Sequence, residues 1–237
     1  MYAEHPPSAP LRAWVESFWT RPAFAAAAPV TQRVLPDGCA DVIFDLTNGR
    51  ALAVGTMTTP LVITAADGPE LFGVRFRPGR ASAFFGMPLD ELTDRTIEIP
   101  LDAEPFVDGD RIALIEQMLM RRLADADVDA RIDGAVARIE TSRGLVVIEE
   151  LARELGITRQ HLRRRFLERV GVTPKTFARV VRFQHVVARS ARLPNLSWAG
   201  LAADFGYSDQ SHLIADFREL AGTTPVPFLL SRETGAP

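Results

Sequence analysis

The chain has 237 residues, 47% of them apolar and 24% charged, with a net charge of −3. This excludes a disordered polymer and fits two folded domains, and with neither a basic-then-apolar leader nor ~18 uncharged apolar residues in a row, a cytoplasmic protein is expected. One cysteine, Cys39, excludes an internal disulfide and a cysteine-rich zinc site, in keeping with a reducing compartment.

From about Gln32 to Phe76 short apolar runs alternate with turn residues: Arg33–Leu35, Asp41–Leu46, Ala51–Val54, Leu61–Thr64 and Leu71–Phe76, split by Pro36-Asp37-Gly38, Thr47-Asn48-Gly49, Gly55, Pro60 and Asp67-Gly68-Pro69. Strands at this spacing predict a small antiparallel sheet, sandwich or barrel. Pro78 and Gly86 bracket a predicted helix through Ala81, Phe84 and Phe85. An acidic, loop-like stretch follows to about Asp110, and Ile112, Ile115, Met118, Leu119 and Leu123 then have helical spacing. Ala124–Asp129 reads as a linker. The expected domains are therefore 1–129, β-rich and suited to sensing or dimerisation, and 130–237, all helical.

In the second domain one pattern occurs twice. Leu151-Ala152, Leu155-Gly156-Ile157-Thr158, Leu162, Phe166, Gly171 and Thr173-Pro174 are matched by Leu201-Ala202, Phe205-Gly206-Tyr207-Ser208, Leu213, Phe217, Gly222 and Thr224-Pro225. The offset is 50 up to the turn and 51 after it. Each copy reads as helix, glycine turn, capped second helix, a unit shaped to enter a DNA groove. A helix through Phe177, Val180, Val181, Phe183 and Val186 joins them, and Pro194 and Ser197 lead into the second copy. Charge divides along the same line: residues 1–135 carry 12 Arg/Lys against 20 Asp/Glu, and residues 136–237 carry 15 against 10. A basic half is the one suited to phosphate.

On Leu151-Ala152, Gly156, Leu162, Phe166, Gly171-Val172-Thr173-Pro174, Arg182-Phe183 and Gly206-Tyr207-Ser208-Asp209-Gln210-Ser211-His212, the last hundred residues resemble the DNA-binding domain of AraC/XylS-type bacterial transcription regulators. The resemblance implies two recognition helices in successive major-groove segments, and as partners promoter or operator DNA, RNA polymerase, a small effector and a second copy of the chain. Leu35-Pro36-Asp37-Gly38-Cys39-Ala40-Asp41 and Gly73-Val74-Arg75-Phe76-Arg77-Pro78-Gly79 are similar to uncharacterised sensor-like domains of some members, whose better-known relatives carry a cupin-like, effector-binding barrel there.

The resemblance places Gln160, Arg163 and Arg164 at base-contacting positions, with the cap Thr158 beside them and Arg159, Arg165 and Arg169 as candidates for phosphate or solvent. In the second copy the set is Ser208, Gln210, Ser211, Ile214 and Arg218. Arginine suits guanine and glutamine suits adenine, although a merely solvated arginine face has the same composition. Residues 145–171 carry six arginines against four glutamates, whereas residues 197–222 carry Arg218 against Asp204, Asp209, Asp216 and Glu219. The first copy is therefore expected to dominate DNA readout, the second reading thymine methyls and backbone or contacting protein. The four histidines have no metal-ligand spacing, and neither a metal nor a cofactor is expected.

Asp37, Cys39 and Asp41, with Arg75 and Arg77 as counter-charges, could form an effector site or a redox-sensitive thiol; the plainer alternative is an Asx-stabilised turn with a small buried cysteine. No nucleophile motif or phosphate loop points to an enzyme. The alternatives are an N-terminal domain that is catalytic, or one that only dimerises through the helix at Ile112–Leu123.

Overall fold

The computed structural model describes residues 2–101, 110–191 and 197–233. Pro194 and part of the acidic stretch (102–109) lie outside the described residues. Eight strands come first: β1 (Ala3–His5), β2 (Val15–Arg21), β3 (Phe24–Val34), β4 (Ala40–Asp45), β5 (Arg50–Val54), β6 (Leu61–Gly68), β7 (Leu71–Phe76) and β8 (Thr96–Ile99). Six form an antiparallel sheet in the order β1-β2-β7-β4-β5-β8, and β3 pairs with β6 in a separate ribbon. The antiparallel β domain is as expected, built as two sheets of six and two strands. Four strands depart from the sequence reading: β3 begins at Phe24, well before the run Arg33–Leu35, and β1, β2 and β8 lie outside the predicted runs. A bulge between Val15 and Ser17 interrupts the alternation that would have marked β2. β1 and β8 are edge strands of three and four residues, and β8 lies in the stretch read as loop. Short edges depend on the neighbour they pair with, which a local pattern does not contain.

Register sorts the large sheet's side chains. Phe18, Val74 and Val42 are aligned across β2, β7 and β4, as are Phe72 and Phe44, and this face is buried under α1 (Ala81–Phe85), α2 (Arg111–Arg122), Leu11, Leu89 and Leu92. α1 is shorter than predicted; Pro78–Arg80 form the turn before it. A one-residue slip would turn the phenylalanines outward. Ile115 and Leu119 of α2 are spent on this core, which leaves only Leu114 and Met120 as its exposed large apolar side chains.

The helical part comprises α3 (Ala130–Thr141), α4 (Ile148–Glu154), α5 (Arg159–Val170), α6 (Pro174–Ser190), α7 (Trp198–Asp204), α8 (Gln210–Ala221) and α9 (Pro225–Glu233). It has two cores that meet on α6. Phe177, Ala178 and Val181 belong to the first, with Leu162, Phe166 and Val170 of α5; Val180, Phe183, Val186 and Val187 belong to the second, with Leu213, Phe217 and Leu220 of α8. No helix among the described residues is long and apolar enough to cross a membrane.

The β domain is seated on the end of α5. That helix stops at Gly171 in the left-handed region (φ 89°), and the Val170 carbonyl cannot be satisfied four residues on, because Pro174 has no N–H. Thr56 Oγ1 donates to it at 2.6 Å, and Thr93 Oγ1 donates to the Gly171 carbonyl at 2.5 Å. A Cβ on Gly171 would stand 3.1 Å from both hydroxyls, so a side chain there would push the seam apart. Arg80 pairs with Asp133 at 2.9 Å, and Gln184 of α6 donates to the Pro36 carbonyl. The stretch read as a linker is engaged too: Asp127 accepts from Arg169, and Asp129 caps α3 and accepts from Arg165 at 2.9 Å. Thr56→Val keeps the shape at a fully buried position and strands the Val170 carbonyl. We expect a loss of about 1–3 kcal/mol in urea denaturation of the full chain, against a few tenths for Thr59→Val at an exposed position of the same loop.

Candidate nucleic-acid interface

Each second helix of the repeat is started by a side-chain cap and aimed by an apolar stripe. Thr158 Oγ1 accepts from the His161 N–H at 3.1 Å, and Leu162, Phe166 and Val170 are buried at i, i+4 and i+8. Helical geometry then turns Gln160, Arg163 and Arg164 to solvent. In the second copy the cap is Asp209, which accepts from the His212 N–H at 2.8 Å. The repeat's offset of 51 therefore already holds at the cap, and Ser208, aligned with Thr158 by sequence, sits one residue before it, 3.3 Å from His212 Nδ1. The His212 ring packs edge-on against Tyr207, 5.2 Å between centroids.

The arginines of α5 divide into two groups. Arg165 is bound to Asp129 at 2.8 Å and to Glu168 at 2.8 Å, and Arg169 is bound to Asp127, so this pair grips the inter-domain segment. Arg164 is exposed and, among the described residues, paired only with Glu168 one turn on, and Arg159 only with exposed Glu149. Such surface pairs are worth little and exchange readily for phosphate or base edges. Gln160 and Arg163 make no hydrogen bond or ion pair among the described residues. Arg163 borders a recess of about 530 Å³ between the turn before α4 and the first turns of α5 and α6, with Arg159, Lys175 and Arg182 around it and Glu149 as its carboxylate.

α8 is poorer in free charge, but not in the way its composition suggests. Asp216, read from sequence as negative charge on the recognition helix, is 2% exposed. It accepts from Tyr207 Oη at 2.9 Å and from Arg179 Nε of α6 at 2.6 Å, and Arg179 also clasps Glu219. Burial and the neighbouring Asp216 carboxylate push the Tyr207 hydroxyl well above the usual phenol range, so it stays a donor. Two of the four acidic residues are thus neutralised by a cation from α6. Gln210, Ser211 and Arg218 are exposed and Ile214 is half-buried. Arg182 ties the copies together, donating to the Gly144 carbonyl at 3.1 Å with its guanidinium 5.4 Å from the Tyr207 ring centre.

On the second face of the large sheet, Ser17, Arg75 and Asp41 align across β2, β7 and β4, so register brings Arg75 and Asp41 together. Arg75 Nε stands 3.6 Å from Asp41 and 3.7 Å from Asp37, buried and without a hydrogen-bond partner. Asp37 accepts from the Cys39 N–H at 2.9 Å, an Asx turn. Burial, reinforced by both carboxylates, raises the Cys39 thiol well above its ordinary range, the opposite of a reactive thiolate. Arg77 is not part of the group: it pairs with Glu16 at 2.7 Å and donates to the Arg12 carbonyl. The sequence reading missed Trp19, whose indole lies across Gly73, where a Cβ would come within 2.0 Å of it, and donates to Asp41 at 2.8 Å. The signal available was a strand glycine with an indole on the neighbouring strand.

Residues 3–98 match a family described as a domain of unknown function, and residues 151–229 match one described as a helix-turn-helix domain. No curated protein matches the chain in sequence. Among solved structures, an apo variant of ToxT from Vibrio cholerae strain SCE256 is similar with a TM-score of 0.50 and 10% identity, over 90% of this chain and 97% of that one. Wild-type ToxT from the same strain with unsaturated fatty acid bound is similar at 0.48 and 11%, over 94% and 98%. At such identities the likeness is one of fold.

Burial outweighs Arg75 and the Trp19 donor and lifts the Asp41 carboxyl to about 6. An unfolded aspartate titrates near ~4, so between these values the folded chain holds the extra proton and stability falls as pH rises through the window. The expected loss is about 3 kcal/mol from pH 4 to pH 7, reached fully above pH 6. Denaturation of Asp41→Asn, which keeps an acceptor for Trp19, should show that slope removed.

Proposed function

We propose that this chain, an AraC-type helix-turn-helix DNA-binding transcription regulator, recognises its operator chiefly through α5, with α8 in a lesser role. The observation that carries this reading is the exposure of Gln160, Arg163 and Arg164 on the outer face of a helix whose other side is wholly buried. Gln160 and Arg163 would meet base edges first, and Arg164 after leaving Glu168. Thr158 and Arg159 would hold the adjoining phosphate from the helix N-terminus, where positive potential is highest. Arg165 is better spent holding α5 to the β domain than touching DNA. Gln210, Ser211 and Ile214 fit a lighter readout that includes thymine methyls, with Ser208 and Arg218 toward the backbone.

The division at 129/130 is where the core of the β domain gives way to that of α3–α6. Residues 1–129 would act on the DNA-binding part through the seam at Val170 and Gly171. The Asp37–Asp41–Arg75 group is the candidate place for a small effector, because its arginine is half-satisfied and its turn carries Pro36, which is bonded to α6. RNA polymerase is a further expected partner. Regulation, not catalysis, is the function these parts serve.

The test is binding of the purified chain to its own upstream DNA and to random DNA across a salt series. Arg163→Ala and Arg164→Ala should each cost about 1–3 kcal/mol on the specific site and relax preference at one base step, while Gln210→Ala and Ile214→Ala cost less. If the substitutions in α8 cost more specificity than those in α5, the ranking of the two helices is reversed.

A further inference from the structure

We propose that the β3–β6 ribbon is the surface through which two copies of this chain associate, β6 lying antiparallel to β6 about a two-fold axis. Among the described residues the two strands pair only with each other, so each has an open edge. None of their residues is buried, and Val30, Val34, Leu61, Val62 and Ile63 are between 37% and 47% exposed. A two-stranded ribbon with no buried residue of its own, touched by Arg21 of β2 at Phe24 and Gln32, is marginal in water, and open edges are usually guarded by charge. In β3 Pro29 removes one N–H, and the two strands lose their register with each other between Ala25 and Val30. β6, Leu61–Gly68, is continuous and carries a single charge, Asp67, near its end.

Charge selects the occupant. The strands of 11 and 8 residues contain only Arg33 and Asp67, in an N-terminal region where acidic residues outnumber basic ones 20 to 12. A nucleic acid or an anionic surface finds no row of cations on the ribbon. A second copy, repelled by the acidic remainder, finds here its uncharged place of approach, and two-fold symmetry sets the same neutral patch on both sides. With the axis at Thr64, Ile63 faces Ala65, Val62 faces Ala66 and Asp67 faces Leu61. Large side chains then meet small ones, and no carboxylate meets its own copy. Thr64 would meet Thr64 much as it already meets Thr31, at 2.8 Å between hydroxyls.

The assembly does not depend on the DNA-binding reading, and its test uses no DNA. Sedimentation velocity of the full chain over a concentration series into the micromolar range should show a dimer, and Ile63→Glu should weaken it at least ~30-fold. Adding Ala65→Lys to Ile63→Glu should recover most of that loss, since each glutamate would then face a lysine of the other copy. Thr64→Cys, on the axis, should form an intermolecular disulfide under mild oxidation, while Leu114→Glu on α2 leaves the dimer intact. A monomeric wild type, undiminished dimerisation of Ile63→Glu, no cross-link through Thr64→Cys, or a dimer lost in Leu114→Glu would overturn the proposal.

Discussion

The last carbonyl of α5 is the constraint on which the arrangement of the two halves depends. A helix ending four residues before a proline cannot satisfy its final carbonyl in its own backbone, and at Val170 the missing donor is Thr56 of the β domain. Thr93 does the same for Gly171. The C-terminal end of α5 is therefore completed by another domain, while its N-terminal end, with Thr158 as cap, is exposed. Arg165 and Arg169, bound to Asp129 and Asp127, reinforce the hold with charge.

The second repeat has no such hold. Its approach to the β domain is through Leu35, packed on its core, and through Pro60, close to Gly222. What positions it is α6, whose residues alternate between the two cores and whose Arg179 and Arg182 reach α8 and the turn glycines. The two copies are alike in local structure and unlike in attachment. α5 is hydrogen-bonded to the β domain at its C-terminal end, and α8 shares with α5 the connecting helix α6, which contributes to the core of each copy.

Much of the helical half was legible in sequence because its determinants are local. Leu162, Phe166 and Val170 fall one turn apart, Thr158 precedes the helix it caps, and Gly156, Gly171 and Gly206 stand where the backbone has φ near 66–89°. The β half was legible where strands alternate inside clear turns, as in β4, β5 and β7. It was not legible at β2, with its bulge, or at the edge strands β1 and β8. The candidate effector group was half legible: Asp37, Asp41 and Arg75 meet, but Arg77 leaves for Glu16, and Trp19 enters from a strand the pattern did not show.

By itself the sequence determined that there are two helix-turn-helix copies, which face of each second helix is buried, and which side chains are left to face outward. Those follow from spacing within a few turns of one chain segment. Only the tertiary structure decided which of the outward charges are free. Arg163 and Arg165 are two residues apart and chemically identical, yet among the described residues one is unpaired and the other is held by Asp129, and Asp216 is a buried acceptor where composition made it a surface anion. Coulombic and hydrogen-bond energies depend on distances of a few ångströms between segments far apart in sequence, and those distances exist only once the elements have packed.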